Sequence, residues 1–181
     1  MSEEVNPQEV KLEDFFSKVL SIVGKTTDIE ISELLRGRHK TIAVAESITG
    51  GLLSARLTNI PRSSEYFIGG IISYNNRIKV QELGVPASVI AKAGAVSSDV
   101  AVLMAEGIKR RYRTDFGLSV TGSAGPDPHP PAPVGLVYVA LAFDSGTEWK
   151  EIRLQGTRPE IREKAAQAAL GLLWFQLGGE V

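Results

Sequence analysis

A short apolar, partly β-branched run, Thr41-Ile42-Ala43-Val44-Ala45, passes without a linker into Glu46-Ser47-Ile48-Thr49-Gly50-Gly51 and then into Leu52-Leu53. A run of this kind reads as a strand buried on both faces, and the glycine-bearing stretch after it as the start of a helix over 50–59, closed by Pro61. A strand covered above and below needs helices on both sides of its sheet. This one junction therefore points to an α/β domain.

The rest of the chain keeps the alternation. Apolar spacings of three and four predict an amphipathic helix over 10–23 and a shorter one over 28–36, with Thr27 or Asp28 as N-cap and Gly37 as C-cap. Residues 67–74 read as a strand, 77–83 as a short helix ending at Gly84, and 86–92 as a further turn or two. Ser97, Ser98 or Asp99 caps a helix through 111. A strand is expected over 115–120, and 134–143 with 148–154 form an antiparallel hairpin around Asp144-Ser145-Gly146. Arg158 or Pro159 opens a last helix to 177. The expected architecture is a mixed sheet sandwiched by helices.

Composition removes several chemistries. Among 181 residues there is no cysteine and there are two histidines, His39 and His129, so thiolate nucleophiles and Cys-based metal sites are excluded. No metal or cofactor is expected. With 20 Lys+Arg against 21 Asp+Glu the chain carries no global basic field, which disfavours nucleic acid as a partner. The one basic run, Lys109-Arg110-Arg111-Tyr112-Arg113, falls at a predicted helix end, where cations complement the dipole. No apolar stretch approaches the roughly 18 residues that span a bilayer, and Glu3 and Glu4 stand where a signal peptide would be basic. The expectation is a cytoplasmic protein off the membrane.

The polar junctions after the predicted strands concentrate the remaining chemistry. Backbone N–H groups at the Ser47–Gly51 turn could hold an anion or a developing oxyanion, or Ser47 or Thr49 could simply cap a helix whose glycines permit close packing. In Ser73-Tyr74-Asn75-Asn76-Arg77-Ile78-Lys79, Lys79 is either surface charge or, if desolvated, a neutral amine able to act as a general base. Thr121-Gly122-Ser123-Ala124-Gly125-Pro126 is either a tight turn or a place where backbone meets ligand. Arg158, ahead of the last helix, suits a phosphate or carboxylate. Together the junctions suggest one site for a small anionic ligand at the carboxyl edge of the sheet.

Taken together, AESITGGLLSARL from Ala45, GGIISYNNRIKVQELGV from Gly69, GAVSSDVAVLMAEG from Gly94, TGSAGP from Thr121, PVGLVYVAL from Pro133 and QGTRPEIR from Gln155 resemble the CinA C-terminal domain family. Its enzymes are nicotinamide-nucleotide amidases, which convert nicotinamide mononucleotide to nicotinate mononucleotide and ammonia. The resemblance implies a three-layer α/β/α domain over 28–181; residues 1–27 are expected, apart from the family pattern, as a helical extension that docks on the domain or on a second subunit of a homo-oligomer. It implies Ser47 as nucleophile and Lys79 as its base, with Tyr74 beside them, and substrate contacts from Thr49, Gly50, Gly51, Thr121, Gly122 and Arg158. The alternative is a catalytically silent nucleotide- or partner-binding module linked to competence or DNA damage. Two positions depart from the family pattern: Ile48 stands where relatives often have cysteine, and Asp127-Pro128-His129-Pro130-Pro131-Ala132 is stiffer and less polar than the usual stretch.

Overall fold

The computed structural model describes residues 25–127 and 132–178. The helix expected over 10–23 and His129 lie outside the described residues. In chain order the elements are α1 (Lys25–Gly37), β1 (Ile42–Glu46), α2 (Leu52–Thr58), a 3-10 turn (Ser63–Glu65), β2 (Phe67–Ile72), α3 (Asn76–Leu83), α4 (Ala87–Ala93), α5 (Ser98–Tyr112), β3 (Phe116–Gly122), β4 (Leu136–Phe143), β5 (Gly146–Arg153) and α6 (Arg158–Gln176). Helix α1 already includes residues 25–27, so no break separates those residues from the rest of the domain.

The sheet is mixed, in the order β2-β1-β3-β4-β5. Strands β2, β1 and β3 are parallel, and β4 and β5 return antiparallel as the expected hairpin. Glu46 pairs with Ile72 on one side and with Val120 on the other, so the three parallel strands end together. Their exits therefore share one edge, as the fold rule for open α/β sheets requires.

Side-chain size differs between the two faces. Ile42, Val44, Leu118, Val120, Val139 and Leu141 pack on α1, α2 and α6, through Ile31, Leu35, Leu53, Leu57 and Leu173. The opposite face presents Ala43, Ala45, Ala140 and Ala142 to α5. Small residues on both partners, with Ala101 and Ala105 on the helix, let α5 lie close on the sheet. Ser119 Oγ donates to the Ala101 carbonyl at 2.6 Å. A Cβ on Gly117 would fall inside the van der Waals shell of the Ala105 carbonyl oxygen, and one on Gly107 inside that of the Leu83 carbonyl oxygen. Helix α5 thus also presses on the end of α3, the helix that carries Lys79.

Several boundaries differ from the sequence expectation. Helix α2 starts at Leu52 rather than residue 50, because Gly50 and Gly51 take left-handed φ values of 58° and 105°. Neither Ser47 nor Thr49 caps it. Strand β2 stops at Ile72 rather than residue 74: the Ser73 amide makes the last bond of the ladder, to the Glu46 carbonyl at 2.6 Å, and the chain then turns into the Asn75 cap of α3.

Gly117→Ala is expected to destabilise the domain by about 3 kcal/mol, since the added methyl group meets backbone that cannot move without lifting α5. Chemical denaturation of the two proteins measures it, and equal midpoints would refute the close approach.

Candidate active site

The site is built outward from the end of β1. Glu46 is fully buried, yet its carboxylate has no cationic partner among the described residues. It accepts instead from the amides of Gly51 (2.8 Å), Leu53 (3.1 Å) and Ser54 (2.8 Å), and from the hydroxyls of Thr49 (2.7 Å) and Ser54 (2.6 Å). These are donors that a helix N-terminus leaves unmet, and a carboxylate there is favoured by the dipole. The consequence runs against the expectation that the start of this helix faces a ligand. Its amides are spent on the chain's own side chain.

Ser47 follows directly, its amide donating to the Val120 carbonyl at 3.0 Å, which continues the ladder and sets the residue between the ends of β1 and β3. Lys79 approaches from α3. Asn75 caps that helix by accepting from the Arg77 amide, and Lys79 Nζ lies 2.6 Å from the Ser73 carbonyl oxygen and 3.2 Å from Ser47 Oγ. The lysine is 1% exposed and has no carboxylate partner among the described residues. Burial lowers its pKa from 10.5 to about 8, because the ammonium loses its hydration without gaining a counter-charge. Near neutrality the amine is thus closer to deprotonation than a surface lysine, with a hydroxyl within reach.

The third wall comes from β3 and the loop after it. Thr121 Oγ1 donates to the Ala95 carbonyl at 2.9 Å. Arg158, at the first position of α6, spans the mouth, donating to the Gly125 carbonyl (2.6 Å) and to Tyr74 Oη (2.8 Å). The resulting cleft of about 370 Å³ is lined by Ser47, Lys79, Tyr74, Thr121, Gly122 and Arg158, together with Ile48, Asn75, Asn76 and Asp127. A volume of that order suits a small ligand. A more open groove of about 530 Å³ lies elsewhere, between the end of α5 and the β4–β5 turn, and holds none of the expected site residues.

Six of the nine residues expected at the site therefore meet at one cleft, and three do not line it. Thr49 is fully buried with its hydroxyl on Glu46, and Gly50 lies against Arg162 and Gly51 against Ile72, behind the Ser47 turn. Sequence reasoning passed over Glu46, Ser73 and Arg162. Arg162 Nε and Nη2 donate to the carbonyls of Ile48 (3.1 Å) and Thr49 (2.7 Å). Its signal was the spacing of four from Arg158, which puts both guanidinium groups on one side of α6. Among the described residues, no group of three His, Asp or Glu side chains is arranged to hold a metal ion, and no helix is long and apolar enough to cross a membrane.

Residues 25–177 match the family described as the CinA C-terminal domain. A putative competence-damage inducible protein of Moorella thermoacetica is 48% identical over 145 residues, which is 80% of this chain and 35% of the relative. A CinA-like protein of Dictyoglomus thermophilum is 48% identical over 152 residues, 83% of this chain and 37% of the relative. The chain spans well under half the length of these curated relatives. Among solved structures, the competence/damage inducible protein CihA from Agrobacterium tumefaciens superposes with a TM-score of 0.81 at 34% identity, covering 85% of this chain and 94% of that one. The competence damage-inducible protein A (ComA) from Klebsiella pneumoniae subsp. pneumoniae gives 0.83 at 29% identity, covering 85% and 96%.

The amine, buried without a counter-charge, makes a sign-specific prediction. With its pKa lower in the folded than in the unfolded chain, Lys79 costs stability below about pH 8, and the cost fades as pH rises to 10.5. The stability of Lys79→Met relative to the native protein is therefore expected to fall by about 3 kcal/mol between pH 7 and pH 10.5. Urea midpoints for both proteins across that range measure it. A difference independent of pH would show that the amine is solvated.

Proposed function

Because the chain belongs to the CinA C-terminal domain family, we propose that its domain over 28–181 is an amidohydrolase converting nicotinamide mononucleotide to nicotinate mononucleotide and ammonia. The observation that carries the reading is the Lys79 amine, buried without a counter-charge, 3.2 Å from a serine hydroxyl at the floor of a small cleft. A serine hydroxyl is a poor nucleophile until a base takes its proton, and a neutral lysine is one of the few bases open to a chain this poor in histidine.

In this mechanism Lys79 accepts the Ser47 proton as Oγ attacks the carboxamide carbon of the nicotinamide ring. The Ser73 carbonyl holds one N–H of the amine, which turns the lone pair towards Ser47. The tetrahedral intermediate collapses with cleavage of the C–N bond, and the lysine ammonium passes its proton to the departing nitrogen, releasing ammonia. A water molecule, deprotonated by the same amine, then attacks the seryl ester, freeing the carboxylate product and restoring Ser47.

The other cleft residues take positioning roles. Arg158 and Tyr74 stand at the mouth, where the guanidinium can exchange its carbonyl and phenol partners for a phosphate. The Thr121 hydroxyl already donates to Ala95, so its oxygen is left to accept from a ribose hydroxyl. Gly122, whose bare Cα lets Leu136, Val137 and Ile48 pack against it, offers the cleft its backbone only.

Ammonia release from nicotinamide mononucleotide is the test. The native protein is expected to turn over, with kcat/KM rising with pH through an apparent pKa of about 8, the value of the free-enzyme lysine. Ser47→Ala and Lys79→Ala are each expected to lose at least about 10³-fold. A folded native protein that releases no ammonia at pH 8 would overturn the assignment, whereas a fully active Ser47→Ala would overturn only the mechanism.

A further inference from the structure

Arg162 is a half-buried cation with no carboxylate partner among the described residues. Its donors go instead to the carbonyls of the two residues that follow Ser47. Glu46 is its mirror image, an anion that accepts from amides a few residues further on. The peptide groups of one turn lie between the two charges and bond to both. Carbonyls point to the arginine, and amides to the glutamate.

One line of peptides leads from Arg162 into the cleft. Arg162 Nη2 donates to the Thr49 carbonyl at 2.7 Å. The amide in the same peptide group, that of Gly50, donates to the Ser47 carbonyl at 3.2 Å. The amide sharing that next peptide group is Ile48 N–H, which donates to no group among the described residues and belongs to a residue lining the cleft. Hydrogen bonds in such a chain polarise one another, so a cation at one end strengthens the donor at the other. A backbone amide immediately after a nucleophilic serine is also well placed for the oxyanion that forms on attack.

We infer that the Ile48 amide is the oxyanion donor of this site and that Arg162 is the positioning residue that orients and charges it through the Thr49–Gly50–Ser47 peptide relay. The inference rests on the amidohydrolase reading for its substrate. It also replaces the start of α2, whose amides Glu46 occupies, as the source of oxyanion stabilisation. The charge that matters develops only in the transition state, so the effect belongs in kcat rather than in substrate binding.

The experiment compares native protein with Arg162→Met and Arg162→Lys in two assays. In the first, nicotinamide mononucleotide hydrolysis by Arg162→Met is expected to lose about 10- to 100-fold in kcat, with KM within about twofold and the pH midpoint of the lysine limb unchanged. Arg162→Lys, which can reach the Thr49 carbonyl alone, recovers part of the loss. The second assay follows covalent labelling of Ser47 by a fluorophosphonate, read by intact mass. Oγ attacks phosphorus, fluoride leaves and the serine proton passes to Lys79, so no carboxamide substrate is needed, and the same ordering of rates is expected.

A folded Arg162→Met with native kcat and native labelling rate would overturn the relay. So would a loss that appears in KM, that moves the pH midpoint, or that tracks only the unfolded fraction seen by circular dichroism. If the native protein is labelled in an Lys79- and Arg162-dependent way yet leaves nicotinamide mononucleotide intact, the relay stands and the substrate assignment falls. Neither labelling nor hydrolysis by the folded native protein would overturn both.

Discussion

The buried carboxylate of Glu46 is the contact on which the site depends. Five donors converge on it, three of them the amides at the start of α2. Hydrogen bonds to an ionised group are worth about 1.5–3 kcal/mol each, and losing this acceptor would leave several buried donors unmet at once. Its own backbone carbonyl also receives the amide and hydroxyl of Ser73, which ties the exit of β2 to the exit of β1. One residue thus closes the helix start, shapes the turn that carries Ser47, and brings in the carbonyl that Lys79 bonds.

The same contact changes the electrostatic picture of the cleft. A free helix N-terminus is a ready anion site, but this one is neutralised from within the chain. Positive charge at the cleft comes from side chains instead, with Arg158 at the mouth and Lys79 at the floor. Lys79 is held where it is by packing rather than by charge. Its backbone carbonyl accepts from Val85 at 3.1 Å, and α5 presses on the end of α3 through the bare Cα of Gly107. Burying an amine without a counter-charge is a cost that ordinary packing does not explain, and such costs cluster at functional sites.

Periodicity carried the reading of the elements well because β1 to β4 are short and largely apolar, and the polar β5 is marked by the turn residues Asp144-Ser145-Gly146 at its start. The mixed sheet, the β4–β5 hairpin and the start of α6 at Arg158 all followed from local pattern. The ends of elements were less legible. Whether α2 begins at residue 50 or 52 depends on where the carboxylate of Glu46 lies. Ser73 and Arg162 escaped notice for a related reason. They act through or upon backbone carbonyls, and a carbonyl has no signature in the order of side chains.

Alternation of buried strands and amphipathic helices is a local property, so the sequence by itself determined an α/β sandwich with its polar junctions at one sheet edge. The sequence's resemblance to the CinA C-terminal domain family, rather than the pattern of polar residues, pointed to Ser47, Lys79, Tyr74, Thr121 and Arg158. Which of the polar groups at those junctions face a common space was decided only by the tertiary structure. Thr49 and Gly51 turned away because Glu46 captured the Thr49 hydroxyl and the Gly51 amide and Arg162 the Thr49 carbonyl, while the Gly50 amide closed back on the Ser47 carbonyl. Lys79 became a less basic neighbour of Ser47 because folding buried its amine between Ser47 and the Ser73 carbonyl. Desolvation and hydrogen-bond competition between segments far apart in the chain are set by packing, and no local pattern of residues encodes them.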